Sequence, residues 1–327
     1  MIDQHEFDDL VGAYALDACS PEETAAIEAY VETHPAAAFE VERLRTAAIW
    51  MAAADARTPP APMRSGLLER ARMVRSTTAA SALVAYREEA ARLGAMLASL
   101  SEADCDRVTH NGLTVRELVL HLGVAERTLA AELLEPSVST WDDGFMRELT
   151  TTELANNQHS SLAEAVARWN AAVEEVIRIA PHATRRVAGR SVTDALLIRA
   201  FESWTHLDDV RQVLDETESV PSVTTLQAMV DFSVRSAPWA LALTGRSRDA
   251  GAIELVLTGE VGGSYTIPLT PGLTDQAVVS VMTINVIDWC KRFADRRSLD
   301  GVMAVGIEGD ESLASDLLAA VPCFAGL

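Results

Sequence analysis

A glutamate and a histidine, Glu202 and His206, stand four residues apart in "RAFESWTHLDD", a run with helical spacing. Residues four apart lie on the same face of a helix, with their β-carbons about 6 Å apart. A carboxylate and an imidazole so placed can bind one metal ion. Every helix of this length also offers several such polar pairs that are only hydrogen-bonded. A third ligand is needed to separate the two interpretations.

His121 is the best candidate for that third ligand. It lies in "TVRELVLHLGVAER", between Leu120 and Leu122, whereas the other histidines fall near the terminus or in predicted loops. A lone histidine in such an apolar helix is usually a core residue whose hydrogen bonds are satisfied. Helical bundles, however, build metal sites from inward side chains on facing helices. His121, Glu202 and His206 are therefore candidate ligands of one divalent metal ion, and the interpretation as hydrogen-bonded core residues stays open at this point.

This ligand set would support thiol chemistry. Two neutral imidazoles and one carboxylate leave a zinc ion with net positive charge and an open coordination position. Such an ion lowers the pKa of a bound thiol and yields a thiolate near neutral pH. Ligand type alone does not separate zinc from nickel or iron. Asp208 and Asp209 either accept a hydrogen bond from a ligating imidazole or form a solvated acidic turn, and Asp209 is the preferred acceptor.

Four helices are predicted to position these residues. Leu, Val and Ala recur every three or four residues in each of them, and Thr114 and Glu117 form a capping box at the start of one. This pattern is typical of a four-helix bundle, which we place at residues 79–220. The predicted helices span 79–99, 114–134, 162–180 and 191–215.

The character of the sequence changes after Pro221. One further helix, at about 222–243, leads to alternating segments typical of strands, with two helices between and after them. Residues 221–327 are therefore predicted to form a small α+β domain. The strand segments are "AIELVLTG", "GGSYTIPL", "QAVVSVMTI" and "VMAVGIEGD", and the helices are "NVIDWCKRFADR" and "ESLASDLLAAV".

Residues 1–78 form a third predicted region, which makes the chain multidomain and mainly α. Three short helices occupy about 6–18, 21–34 and 36–54, and a capping box at Ser20 and Glu23 begins the second. A proline-rich linker at 55–63 then precedes a further amphipathic helix, "RSGLLERARMVR".

Charge and composition limit the function classes. The chain of 327 residues has a net charge of −21, and residues 1–42 hold eleven Asp and Glu and no Lys or Arg. Such a segment repels nucleic acid and attracts a basic protein surface, although it is equally compatible with a simple solvated face. No apolar run reaches the length of a membrane span, and the acidic start is unlike a signal peptide, so we expect a cytoplasmic protein without membrane contact. The four dispersed cysteines predict neither a disulfide scaffold nor a cysteine zinc site.

Two resemblances to known families give these patterns a context. "LTVRELVLHLGVAER" and "LLIRAFESWTHLDDVRQVL" resemble the signature helices of the mycothiol-dependent maleylpyruvate isomerases, a branch of the DinB-like metal-binding bundles. The resemblance implies a divalent ion, usually zinc, at His121, Glu202 and His206, with mycothiol as the thiol. The segment from "VVSVMTINVIDWCKRFADRRSL" onward resembles the sterol-carrier-like domain of the same family. No motif identifies further catalytic groups.

The N-terminal segment "LVGAYALDACSPEETAAIEAYVETHPAAAFEVERLR" resembles the anti-sigma domain of regulators that sequester extracytoplasmic-function sigma factors. In the zinc-bearing members a histidine ends the second helix and a C-x-x-C motif opens the third. Here Tyr30 stands at the histidine position, and His34 and Ala37 stand at the cysteine positions. The resemblance is therefore to the zinc-less members, and it implies a sigma factor as the partner of residues 1–78.

Two functional hypotheses follow. In the first, which we favour because the isomerases lack this N-terminal segment, the protein is a cytoplasmic anti-sigma factor whose metal-binding bundle acts as sensor or scaffold. In the second, it is a mycothiol-dependent isomerase or thiol transferase. A metal-binding protein with neither role is the third option. The sequence identifies neither the sigma factor, nor the releasing signal, nor the oligomeric state.

Overall fold

A computed structural model describes residues 2–16, 18–54, 61–109, 112–135, 143–183, 186–187, 189–273, 276–299 and 306–324. The chain divides into two compact units, residues 1–71 and residues 72–327. Throughout the described ranges the protein is mainly helical, with a small four-stranded sheet near the C-terminal end. No helix in these ranges has the length and apolar character that a membrane span requires. The predicted mainly helical chain with a small α+β part at its end is confirmed.

The first unit is built from three helices and the start of a fourth. Asp3 and Ser20 begin the first two helices with capping boxes to Glu6 and Glu23, and the second of these boxes is the one that the sequence predicts. Among the side chains that the structure describes here, six form a hydrophobic core of the unit's own: Phe7, Val11, Ile27, Tyr30, Ala37 and Val41. The helices are α1 (Gln4–Ala15), α2 (Pro21–Thr33) and α3 (Pro35–Ala54).

Helix α4 differs from the sequence prediction. It runs without a break from Ala61 to Ser99, so the two helices predicted at 64–75 and 79–99 are one element. The expected interruption near Thr77 was wrong because Ser76 and two threonines weaken helix propensity without preventing a helix. Residues 55–60 of the predicted linker lie outside the described residues.

Among the described residues, five helices make up the bundle of the second unit, one more than predicted. The additional helix, α6, follows a stretch that the structure does not describe, and threonines and acidic residues obscure its helical periodicity. Helix α5 contacts α6, α7 and α8, so it is central to the bundle. The bundle helices after α4 are α5 (Val115–Leu134), α6 (Asp143–Asn156), α7 (Leu162–Ile179) and α8 (Val192–Val213), and α9 (Val223–Leu243) follows them.

The four strands form one mixed sheet in the order β2-β1-β3-β4. Strand β1 pairs antiparallel with β2 and parallel with β3, and β3 pairs antiparallel with β4. Residues 302–305 of the predicted last strand lie outside the described residues. The elements are β1 (Ala252–Thr258), β2 (Gly263–Pro268), β3 (Val278–Asn285), α10 (Val286–Phe293), β4 (Gly306–Gly309) and α11 (Glu311–Ala320).

One continuous hydrophobic core joins the bundle to the α+β part. Phe201 of α8 contacts the rings of Phe232 on α9 and Phe293 on α10, with ring centroids 6.3 and 5.3 Å away. The indole of Trp289 donates a buried hydrogen bond to Ser233 of α9. The predicted domain boundary between residues 220 and 221 therefore stays a prediction from sequence. In the structure, residues 72–327 pack as one compact unit.

Candidate functional site

Helices α5, α6 and α8 bring the predicted site residues together. The rings of His121 on α5 and His206 on α8 lie edge to face, with their centroids 6.2 Å apart. Glu202 and His206 are one turn apart on α8, and Oε2 of Glu202 lies 3.0 Å from Nε2 of His206. His206 is buried, whereas Glu202 and His121 are partly accessible. The structure thus places the three predicted residues at one polar site inside the bundle.

Both carboxylates around His206 hold its ring in place. The Nδ1 atom lies 2.8 Å from Oδ2 of Asp209, one turn further along α8. Burial acts to lower the pKa of His206, but the hydrogen bonds to Asp209 and Glu202 outweigh it, so this pKa is raised. Burial in turn acts to raise the pKa of Glu202, which the bond to His206 and nearby cations keep well below its usual range. The two carboxylates therefore favour the protonated form of the His206 ring.

Asp209 is itself fixed from the C-terminal part of the chain. The guanidinium of Arg296 contacts both carboxylate oxygens of Asp209, with Nε and Nη2 each at 3.2 Å. Asp209 is buried, so it is not part of a solvated acidic turn. The predicted role of Asp209 as acceptor for His206 agrees with this geometry. Sequence reasoning missed Arg296, because nothing in the chain links two residues 87 positions apart.

His121 has a different environment. Its Nδ1 lies 2.9 Å from the hydroxyl oxygen of Thr150 on α6, which leaves Nε2 as its other ring nitrogen. Burial and the neighbouring positive charge of His206 lower the pKa of His121 to about 4. The imidazole is therefore neutral near pH 7 and keeps one lone pair. Thr150 was missed because the helix that carries it was missed.

Asp208 serves a separate structural contact. It accepts a hydrogen bond from the backbone of Ser219 and pairs with the ammonium of Lys291, which is buried like Asp208 itself. That ammonium also lies 4.9 Å from the ring centre of Trp204. The alternative in which Asp208 is solvated or serves an imidazole is therefore wrong. Lys291, the only lysine of the chain, was visible in the sequence, but its partners were not.

The metal prediction can be compared with this geometry. Two imidazoles and a carboxylate are suitable zinc donors, and a carboxylate on Nδ1 of a histidine is the usual partner of a metal-bound ring. Yet Glu202 and His206 contact each other directly, and the part of the chain that the structure describes contains no group of three His, Cys, Asp or Glu arranged to hold a metal ion. The donor types are those that zinc prefers, while the present arrangement is that of a hydrogen-bonded cluster.

The N-terminal unit has its own polar feature at the predicted anti-sigma positions. The rings of Tyr30 and His34 stack with their centroids 4.0 Å apart. The ring of Phe7 also stacks on Tyr30, with a centroid distance of 5.0 Å. Nδ1 of His34 lies 2.9 Å from the backbone oxygen of Tyr30, and Ala37 is buried in the core of the unit. Aromatic stacking thus joins α1 to the end of α2.

Comparisons with known proteins add a likeness of fold. No family model and no curated protein matches the chain. Among solved structures it is similar to the mycothiol-dependent maleylpyruvate isomerase, with a TM-score of 0.49 and 16% identity, over 71% of this chain and 94% of that one. A histidine-to-alanine mutant of the same isomerase gives a TM-score of 0.47 at the same identity and coverage. At this identity the likeness concerns the fold and assigns no activity.

Proposed function

We propose that residues 72–327 form a divalent-metal site that activates a small thiol, as in a thiol-dependent isomerase or transferase. One observation supports this above all: two imidazoles from separate helices face each other beside a carboxylate, and the Nδ1 of each already has a polar partner. This leaves Nε2 of His121 and of His206, with Glu202, as the donors for the ion.

The proposed ion would take the place of a proton. Glu202 and His206 now share one at a separation of 3.0 Å, and a metal bound by both would displace it. Glu202 and His206 would then hold the ion together with His121, since carboxylate oxygen and imidazole nitrogen are both zinc ligands. A bound divalent ion would supply positive charge that stabilises a thiolate.

Mycothiol is the thiol that we propose, and its basis is the resemblance of the α5 and α8 sequences to the isomerase signature helices. The other groups around the site would keep the hydrogen bonds that they make in the structure. Thr150 orients His121, Asp209 orients His206, and Arg296 holds Asp209. The substrate of the thiolate is open between an isomerised dicarboxylic acid and an electrophile that accepts the thiol.

Metal analysis of the purified full chain tests the metal centre. We expect close to one divalent ion per chain, and a large loss of affinity in His121→Ala. His159→Ala is the matched control because His159 is exposed in the turn after α6. Metal-free protein that takes up no zinc, or equal affinity in both variants, would contradict the proposal. Turnover of maleylpyruvate with added mycothiol then tests the activity, and a metal-loaded chain without turnover leaves transferase substrates as the next assay.

A second candidate function belongs to the first unit, residues 1–71. We propose that this unit binds a basic protein surface, with an extracytoplasmic-function sigma factor as the partner that the sequence resemblance implies. Its acidic side chains are mostly exposed, and two large apolar side chains stand among them: Leu16 at 64% and Phe39 at 73% exposure. Exposed apolar anchors within a field of like charge are typical of a steered protein interface.

Affinity capture with the full chain tests this second function. A sigma factor identified by mass spectrometry should be retained by the natural sequence and lost in Phe39→Asp. Trp239→Asp is the control, because Trp239 is similarly exposed at 59% but lies on α9. Retention of the same sigma factor by all three proteins would count against an anti-sigma role. So would a capture in which no sigma factor is retained.

A further inference from the structure

A cavity of about 500 Å³ lies where the start of α8 meets the end of α7 and the middle of α4. This volume is within the range of small-molecule sites. Its lining residues all belong to the second unit, residues 72–327, and none of the three proposed metal donors is among them. Leu196, on the cavity wall, precedes Glu202 by six residues of α8, or about 9 Å along the helix axis. The cavity is therefore separate from the imidazole site.

The walls of this cavity are mostly apolar. Leu83 of α4, Pro181 in the turn after α7, and Val192 and Leu196 of α8 supply much of the apolar surface, and four alanines complete it. The short alanine side chains leave space that longer ones would fill. Such a surface favours a ligand whose body carries no polar group, because burying a polar group here would leave it without a hydrogen-bond partner.

Arg186 gives the cavity a positive charge. Among the described residues that line the cavity, it is the only charged side chain. Its Nε donates to the backbone oxygen of Gly189 at 2.7 Å, and its Nη2 donates to the same oxygen. Within the described ranges this guanidinium pairs with no carboxylate, so its remaining N–H groups can donate to an anionic ligand.

The other polar side chains on the wall are Ser191 and Thr193. The Ser191 hydroxyl donates to Asp194 at 2.7 Å, and Asp194 also accepts a hydrogen bond of 2.6 Å from Arg235. Asp194 does not line the cavity and already has a cationic partner. The Thr193 hydroxyl has no hydrogen-bond partner in the part of the chain that the structure describes, so it can donate to a ligand.

We propose that this cavity binds a small monocarboxylic acid with an apolar body. The carboxylate pairs with Arg186, with the Thr193 hydroxyl as a further donor, and the body covers the apolar wall. The unpaired positive charge repels a cation, and a neutral apolar molecule forgoes the ion pair. A second carboxylate on the ligand would lie against the apolar wall without a partner. The inference uses neither the imidazole pair nor a metal, so it stands independently of the proposed function.

Ligand-observed NMR on the full chain tests it with four probes: hexanoate, butanoate, hexan-1-ol and hexylammonium. We expect hexanoate to bind in the millimolar range. Butanoate should bind about tenfold more weakly, because it lacks two CH₂ groups that the wall would bury. Hexan-1-ol should bind about threefold more weakly than hexanoate, as expected for the loss of an ion pair with an exposed arginine, and hexylammonium should bind more weakly still.

Two variants separate the charge from the space. Arg186→Gln should reduce the affinity for hexanoate to that for hexan-1-ol while leaving hexan-1-ol unaffected, a pattern that a general loss of structure does not produce. Ala80→Trp should fill the cavity and abolish the binding of both probes. Both positions are exposed, so these substitutions should leave the hydrophobic core intact.

Arg147→Gln is the matched control, because Arg147 is likewise exposed but lies on α6, outside the cavity. It should leave the binding of all four probes unchanged. The proposal is overturned if hexanoate does not bind at 50 mM, or if hexan-1-ol or hexylammonium binds as tightly as hexanoate. It is also overturned if either Arg186→Gln or Ala80→Trp binds hexanoate unchanged.

Discussion

Thr150 and Asp209 orient the two imidazoles from opposite sides of the site. Thr150 can accept a hydrogen bond from Nδ1–H of His121, which leaves the lone pair on Nε2. Asp209 accepts from Nδ1–H of His206 with a full negative charge, so Nε2 of His206 faces Glu202. The imidazoles are therefore preorganised by residues from α6 and α8 that are not themselves proposed ligands. Loss of such a partner typically costs 10–100-fold in metal affinity.

Thr150→Val should lower zinc affinity by about tenfold, because it keeps the shape of the side chain but removes the acceptor for Nδ1 of His121. Isothermal titration with zinc measures the affinity, and nitrogen chemical shifts of the His121 ring report its tautomer. Thr151→Val is the control, since its hydroxyl bonds only the backbone of its own helix, at Arg147. An unchanged tautomer in Thr150→Val would contradict the assigned role.

Zinc uptake should release close to one proton per chain near neutral pH. The proton comes from His206, whose pKa is raised, whereas His121, with a pKa of about 4, is already neutral. Zinc affinity should therefore fall by about tenfold for each pH unit below the raised pKa of His206. Titrations in two buffers with different heats of ionisation count the proton, and a heat that does not depend on the buffer would refute the exchange.

At the residue scale, sequence reasoning found what helical spacing can show. Glu202, His206 and Asp209 follow one another at one-turn intervals on one helix, so their proximity required only that helix. His121 was found because a histidine is unusual in such an apolar helix. Arg296 and Thr150 come from elements that are distant in sequence, and only the packing of those elements brings them to the site.

The helices that carry the site are held in register by a buried polar network. Glu126 on α5 accepts a hydrogen bond of 2.7 Å from Tyr86 of α4 and one of 3.0 Å from Arg199 of α8. All three side chains are buried. Because Glu126 lies five residues after His121, and Arg199 three before Glu202, this network sets the position of α5 relative to α8.

Glu126→Gln should lower the free energy of unfolding by about 3–5 kcal/mol, because it leaves the Arg199 charge buried without its counter-ion. Tyr86→Phe removes one hydrogen bond and should cost about 1 kcal/mol. Urea denaturation measures both. Glu175→Gln is a control in which an exposed ion pair with Arg178 is broken, so little stability should be lost. An equally small loss in Glu126→Gln would show that the network is not needed for register.

Glu89 of α4 gives the bundle a dependence on pH. Burial raises its pKa from 4.5 to about 7, against the two hydrogen bonds of 2.8 Å from Arg92 that act to lower it. The folded state therefore holds this proton more tightly than the unfolded chain does. Its contribution to stability is complete below pH 4.5 and is lost as the pH rises to about 7.

Replacing Glu89 by Gln should remove the loss of stability that accompanies rising pH. The stability of Glu89→Gln relative to the natural sequence should increase between pH 4.5 and pH 8 by up to about 3 kcal/mol, since each pKa unit corresponds to about 1.4 kcal/mol. Urea denaturation at several pH values follows this difference. Glu175→Gln should show no such rise, and a difference that stays flat with pH for Glu89→Gln would contradict the assignment.

At the element scale, periodicity and capping boxes predicted most of the helices. The Thr114–Glu117 box is present at the start of α5, and α7, α8 and α9 begin and end close to their predicted bounds. Two errors share one cause: threonine-rich sequence hides a helix in α6 and suggests a false break in α4. Local propensity is weak there, and tertiary packing decides the conformation.

At the scale of the molecule, the α+β part completes the site of the bundle. Helix α10 and the residues after it supply Lys291, Arg296 and Arg297, which pair with carboxylates of α8 and of the segment that follows it. Removal of residues 221–327 would therefore take Lys291 from Asp208 and Arg296 from Asp209 and expose the aromatic contacts of Phe201. The predicted division at 220/221 stays a prediction, because no local pattern in a sequence reports pairing across a shared core.

The burial of Lys291 has a practical consequence. It carries the only ε-amine of the chain, and its ammonium is enclosed by Asp208 and the Trp204 ring. Acylating reagents, lysine-specific proteases and enzymes that attach peptide tags to lysine should therefore find no side-chain target while the fold is intact. The rate of acylation at Lys291, measured by mass spectrometry, would therefore report how fast residues 72–327 open, with a single nitrogen atom as the reporter.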